Sequence, residues 1–152
     1  MPKIGNRGVD LEAGESFVLK ASAATGATAG TNGTGVFLGG ERQRYIVYLN
    51  VTAGTTDATD TLDVYVDWSL DDVTYFNGGH FTQVLGNAAV KAFFMVFDPS
   101  APTATDLDIT ADAAVHTSRP ALFGPYVRTR YIIVDAGGGV ASFTFSVKGY
   151  AI

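Results

Sequence analysis

The sequence predicts an all-β fold: a single antiparallel β-sandwich, jelly-roll-like, with roughly eight to ten strands and a flexible N-terminal arm. Three observations predict it. Runs of β-branched and aromatic residues recur along the chain, each closed by Gly, Pro, Asp or Asn. The cleanest of them alternate apolar and polar residues with period two, which is how a strand sorts side chains onto opposite faces. No segment carries a convincing helical period; "NAAVKAFFMVF" has helix-favouring alanines, but its aromatic and β-branched end favours a strand.

Taken in order, residues 1–14 read as the arm, and "ESFVLKAS" as a first strand that sets Phe17 and Leu19 against Val18 and Lys20. Residues 21–35, "ASAATGATAGTNGTG", form an Ala/Thr/Gly tract with too little apolar surface to fix itself, so a mobile loop is expected there. "QRYIVYLNVTAG" is a strand ended by Gly54. "TLDVYVDWS" places Leu62, Val64, Val66 and Trp68 on one face and Asp63, Tyr65, Asp67 and Ser69 on the other, the pattern of a half-buried strand. "LDDV" is turn chemistry, and "TYFNGGHFTQVLG" returns with a bulge or bend expected at Gly78 and Gly79. "VKAFFMVFD" reads as a buried strand, "TDLDITADAAV" as a short one with Leu107 and Ile109 inward, and "RPALFGP" as a connector. Two last strands, "YVRTRYIIV" and "SFTFSVKGYAI", flank the hairpin loop "DAGGGVAS".

The chain is 152 residues long, which fits one domain, residues 1–152. A chain of this size buries about 68–70% of its unfolded surface, enough for one core without a disulfide. It contains no cysteine, which excludes thiol catalysis and thiolate metal sites and suits assembly in a reducing cytoplasm. A net charge of -5 argues against nucleic acid as a partner. Charged residues make up only 16% of the chain, against roughly 25% in an average globular protein. Such a surface suits a protein packed against other subunits. No apolar run approaches a membrane span, and the opening residues show no export-signal core, so neither membrane nor secretion is expected.

Residues able to support chemistry are few. His80 and His116 are the only histidines, and neither has a second metal ligand at a diagnostic spacing. Asp67, Asp71 and Asp72 offer carboxylates but lack the spacing of a calcium loop, and a hairpin turn already explains "SLDDVTY". "DAGGGVAS" precedes a strand, so it is no phosphate cradle, and the sequons at Asn32 and Asn50 carry no weight without an export signal. No catalytic residue, cofactor or metal is therefore expected, and the chain is not read as an enzyme. Trp68 sits on the apolar face of its strand, where a core role accounts for it.

One pattern remains unexplained. Arg128 and Arg130, with Tyr126, fall on the outward face of "YVRTRYIIV", and Asp63 and Asp67 form an outward acidic stripe around Tyr65. Either the two stripes pair across strands of one sheet, or they meet across a subunit contact. These six residues are the candidate interface.

The "LDVYVDWSLDDVTYFNGGHFTQVLG" hairpin, the "PALFGPYVRTRYIIV" strand and the terminal "SFTFSVKGYAI" together resemble small structural proteins of tailed bacteriophages, over roughly residues 45–152. The resemblance implies a virion component, of capsid decoration (cement) type, often trimeric. Its partner would be the phage major capsid protein on the outside of the assembled head, after synthesis in the bacterial host cytoplasm. In that setting the arm and the Ala/Thr/Gly tract would lie down on the shell. A second similarity, of "S-x-D-x-x-x-Y" at Ser69, Asp71 and Tyr75 to discoidin-like sugar-binding jelly rolls, implies a carbohydrate-binding module of a tail or baseplate, using Trp68, Tyr75 or His80. Asp72 there replaces the turn glycine usual in that group.

Overall fold

The computed structural model describes residues 4–5, 8–9, 14–39, 44–55, 57–100, 109–119 and 124–152. Among these the strands are β1 (Ile4–Gly5), β2 (Gly8–Val9), β3 (Ser16–Gly26), β4 (Thr28–Asn32), β5 (Val36–Phe37), β6 (Tyr45–Gly54) and β7 (Thr61–Ser69). They continue with β8 (Tyr75–His80), β9 (Val84–Leu85), β10 (Lys91–Phe97), β11 (Thr117–Ser118), β12 (Tyr126–Val134) and β13 (Ser142–Ala151), with one 3-10 turn at Gly86–Ala88. β1 and β2 pair only with each other; the rest of the expected arm, apart from Gly14, lies outside the described residues.

The other eleven strands form two antiparallel sheets, one in the order β10-β6-β13-β3 and one in the order β11-β8-β7-β12-β4 with β5 and β9 beside it. Eight longer strands carry the topology. The first pairs with the eighth (β3 with β13), the second with the seventh (β4 with β12), the third with the sixth (β6 with β10) and the fourth with the fifth (β7 with β8). That nesting is a long antiparallel ribbon rolled up so that successive pairs fall alternately in the two sheets, which is a jelly roll.

The core lies between the sheets, where the period-two readings hold. Val47, Leu49, Val51, Phe143, Phe145 and Val147 face Leu62, Val64, Val66, Val127 and Ile133, all buried. Trp68 is buried between Tyr45, 5.8 Å away between ring centroids, and Phe97, which meets it edge-on at 5.1 Å. The Gly78-Gly79 irregularity has a steric cause. A Cβ on Gly78 would stand 2.4 Å from the Trp68 ring, and one on Gly79 would stand 2.5 Å from the Met95 sulfur. The β7–β8 register shifts there, between Val66 and Asp67.

Four expectations are corrected. "DAGGGVAS" is not a hairpin loop, because β12 and β13 lie in different sheets and pair with other strands, so the segment crosses between the sheets. Residues 21–35 are not one loop, because residues 16–26 and 28–32 are strands that link the two sheets. Their small side chains bury little, but ladder hydrogen bonds need only backbone, and β13 and β12 supply it. The "AFFMVF" strand is not buried; β10 is the edge of the four-stranded sheet, and only Phe97 within it is fully enclosed. In "TDLDITADAAV", Ile109 and the residues after it are not in a strand, and Leu107 lies outside the described residues.

Candidate functional site

The six stripe residues converge on the outer face of the seven-stranded sheet. β12 and β7 pair in a register that sets Arg128 opposite Asp67 and Arg130 opposite Tyr65. Asp67 accepts a hydrogen bond from Arg130 Nε at 3.1 Å and lies 3.6 Å from Arg128 Nε. The second distance is an ion pair without a hydrogen bond, and Arg128 Nε is buried with no hydrogen-bond partner among the described residues. The other Asp67 oxygen accepts from Asn77 Nδ2 at 2.9 Å.

Aromatic rings carry the cations. The Arg128 guanidinium lies 3.9 Å from the centroid of Tyr75, and that of Arg130 lies 4.1 Å from the centroid of Tyr65. Tyr65 in turn stacks on His80 at 4.1 Å. The result is a ladder running Tyr75, Arg128, Asp67, Arg130, Tyr65, His80 across three strands. Asp63 closes it, taking a hydrogen bond at 2.8 Å with His80 Nε2 and another at 2.8 Å from Gln83. Tyr126 packs against Phe37 at 5.1 Å at the other end.

The face is not wet. Residues 109–116, which lead into the edge strand β11, cross over it, anchored by the Ala113 amide to Asn77 Oδ1 and by Asp112 to Arg130, while Arg119 bridges the carbonyls of Asn77 and Ala111. Asp63, Tyr65 and Asp67 are buried beneath, so β7 is covered on both faces rather than half-buried. Sequence periodicity detects which face a side chain takes but not whether a distant segment lies over it.

Burial and pairing set the acid–base character. Burial alone pushes the Asp63 carboxyl up, but the His80 and Gln83 hydrogen bonds outweigh it and hold Asp63 below the usual carboxylate range. Burial and the neighbouring Asp63 raise the Tyr65 phenol. Burial works against the Arg130 charge, and Asp67 and Asp112 more than restore it. Burial and the 2.5 Å hydrogen bond to Asp72 drive the Tyr75 phenol well above its ordinary value.

The sequence left two alternatives, stripes paired within one sheet or stripes meeting across a subunit contact; the geometry brings Arg128 and Arg130 to Asp67 within one sheet. The sequence did not anticipate the Asp63–His80–Gln83 constellation, Asn77 or Asp112. The one available signal is register: once Tyr65 stands opposite His80, Asp63 is a diagonal neighbour. Both histidines also line an open groove of about 330 Å³ between β8, β10 and β11, where His116 Nδ1 shares a 2.6 Å hydrogen bond with Thr82 Oγ1. Among the described residues no group of three or more His, Cys, Asp or Glu is placed to hold a metal. Asp67, Asp71 and Asp72 do not converge: Asp71 accepts from Ser69 and the Val73 and Thr74 amides, as the turn reading requires, and Asp72 from Tyr75.

No family model and no curated protein sequence matches the chain. Among solved structures, its fold is similar to part of a chain in the structure of infectious bursal disease virus, Gx strain. The TM-score is 0.47 at 11% identity, covering 99% of this chain and 37% of that one.

Proposed function

We propose that this chain is a non-enzymatic structural subunit of a phage particle, one that binds the outside of the assembled head through the major capsid protein and stabilises it. The observation that carries the reading is a stiff, charge-poor roll that leaves large apolar side chains in solvent: Leu70 is 76% exposed, Val73 81% and Phe94 66%. Single exposed apolar residues are ordinary, but groups of them on a rigid frame mark contact surfaces. The resemblance to tailed-phage structural proteins supplies the kind of partner, with a trimer as the favoured assembly. Jelly rolls occur in viral capsid and lectin domains alike, so fold by itself does not choose between them. The side chains named for sugar binding argue against the lectin alternative, because Trp68 and His80 are buried and the Tyr75 ring is covered by Arg128.

The test is co-sedimentation with purified phage heads, followed by heating or chelator treatment. The proposal expects saturable binding to intact shells and later release of their contents. Protein that stays in the supernatant at every shell concentration refutes it.

A further inference from the structure

Among the exposed apolar residues, two groups differ in charge character. The first is the outer face of the four-stranded sheet. Phe94, Tyr48, Lys148 and Val18 stand side by side across its four strands, and Val96, Ile46 and Tyr150 form the adjoining row. Phe94 and Tyr48 touch, with ring centroids 6.1 Å apart. The four strands β3, β6, β10 and β13 contain no Asp or Glu; of their three lysines, Lys148 stands on this face, while Lys20 and Lys91 stand opposite Val147 and Val51, which point into the core. Among the described residues nothing covers this face.

The second group is the β7–β8 turn. Leu70 and Val73 project there beside two carboxylates, Asp71 and Asp72. The turn is stiff: Ser69 Oγ accepts from the amides of Asp71 and Asp72, and Asp71 Oδ1 from those of Val73 and Thr74. Asp72 is held at φ 62°, in the left-handed region that favours glycine. Those same hydrogen bonds, led by the Thr74 amide, keep the Asp71 carboxyl below its usual range, so its charge is secure at neutral pH.

We propose that these two surfaces bind each other between copies of the chain: the Leu70–Val73 turn of one copy seats on the Tyr48/Phe94/Val18 face of the next, with its carboxylates toward Lys148. The complementarity is both apolar and electrostatic, which neither surface offers to itself. A face-to-face pair would bring Lys148 toward its own copy, and a tip-to-tip pair would oppose four carboxylates. Because the turn is already ordered, little conformational entropy is lost on seating it. Such a contact is head-to-tail, so it closes into a ring or propagates, according to the rotation between copies. The proposal concerns the protein by itself, so its failure leaves shell binding untouched.

Sedimentation velocity of the purified chain, from low micromolar to near-millimolar concentration, tests it. Wild type is expected to self-associate. A tip variant (Leu70→Ser with Val73→Ser), a face variant (Tyr48→Ser with Phe94→Ser) and Lys148→Glu, which keeps every apolar side chain, should each weaken association by about tenfold or more. Tip and face variants mixed together should form a heterodimer, since one retains a good face and the other a good tip. A wild type that stays monomeric overturns the proposal. So does a tip or face variant that self-associates as wild type does, or a mixture that fails to pair. Unchanged melting temperatures serve as the folding control.

Discussion

The two outer faces of this roll are built on opposite plans. The seven-stranded sheet carries Asp63, Asp67, Arg128 and Arg130 and is covered by residues 109–116; the strands of the four-stranded sheet carry no carboxylate and leave Phe94, Tyr48 and Val18 open. A charge withdrawn from water must be paired, or its desolvation opposes folding. Hence the charges under the cover bind one another and become scaffold. Apolar groups left in water have no such internal remedy, and a partner is what removes them from it. The face with the chemically conspicuous residues is therefore the structural one, and the plain strand face is the one available for contact.

If that contrast is right, the largest loss should come from Asp67→Ala. It leaves two half-buried guanidiniums without their shared carboxylate and deprives Asn77 of a partner. Removing one partner of a buried pair costs about 3–5 kcal/mol; because the arginines keep some solvent access, a loss of about 3 is expected. In a chain of this size that is a fall of roughly 6–12 °C in Tm. Urea and thermal unfolding would measure it. A loss within ordinary surface scatter, below about 0.5 kcal/mol, would mean the ladder is decorative.

How much of this was legible beforehand follows from what kind of contact sets each feature. Leu62, Val64, Val66 and Trp68, or Phe143, Phe145 and Val147, are assigned by alternation, a local property, and all are buried. The continuation of the first strand through residues 21–26 and the strand at 28–32 are hidden because their ladders depend on β13 and β12, about a hundred residues or more away, and not on their own side chains. The site divides in the same way. Arg128 and Arg130 share a face by periodicity, and their meeting with Asp67 follows from pairing β12 with β7. Burial of that face depends on Asp112, Ala113 and Arg119, and the sequence pattern reads the first two as part of a strand rather than as a cover. Likewise "AFFMVF" has the composition of a central strand, and only the topology makes it an edge.

A smaller effect tests whether Asp63 and His80 belong to the scaffold. The Asp63 carboxyl is held below its ordinary value, so it contributes stability above an unfolded pKa of about 3.9 and loses that contribution as the pH falls through its lower folded value. Asp63→Asn should cost about 1.5–2 kcal/mol at neutral pH, the scale of hydrogen bonds to a charged group. The gap between wild type and variant should then narrow in urea titrations as the pH is lowered below that of an ordinary carboxylate. A gap that stays constant or widens on acidification would show that Asp63 is not held as a carboxylate by its neighbours.

The four-stranded face should respond least of all. Phe94 is 66% exposed and its ring partner among the described residues, Tyr48, is itself half in solvent. Cross-strand aromatic pairs contribute about 0.2–1 kcal/mol, so Phe94→Ser should lower unfolding free energy by less than about 1 kcal/mol. Equilibrium denaturation, run dilute enough to keep the chain monomeric, gives the number. A larger loss would place Phe94 among the packing residues and remove the reason to look for what covers it. A small one leaves a large aromatic side chain that folding does not require, on a face free of carboxylates, and that is the signature of a residue retained for contact with something outside its own fold.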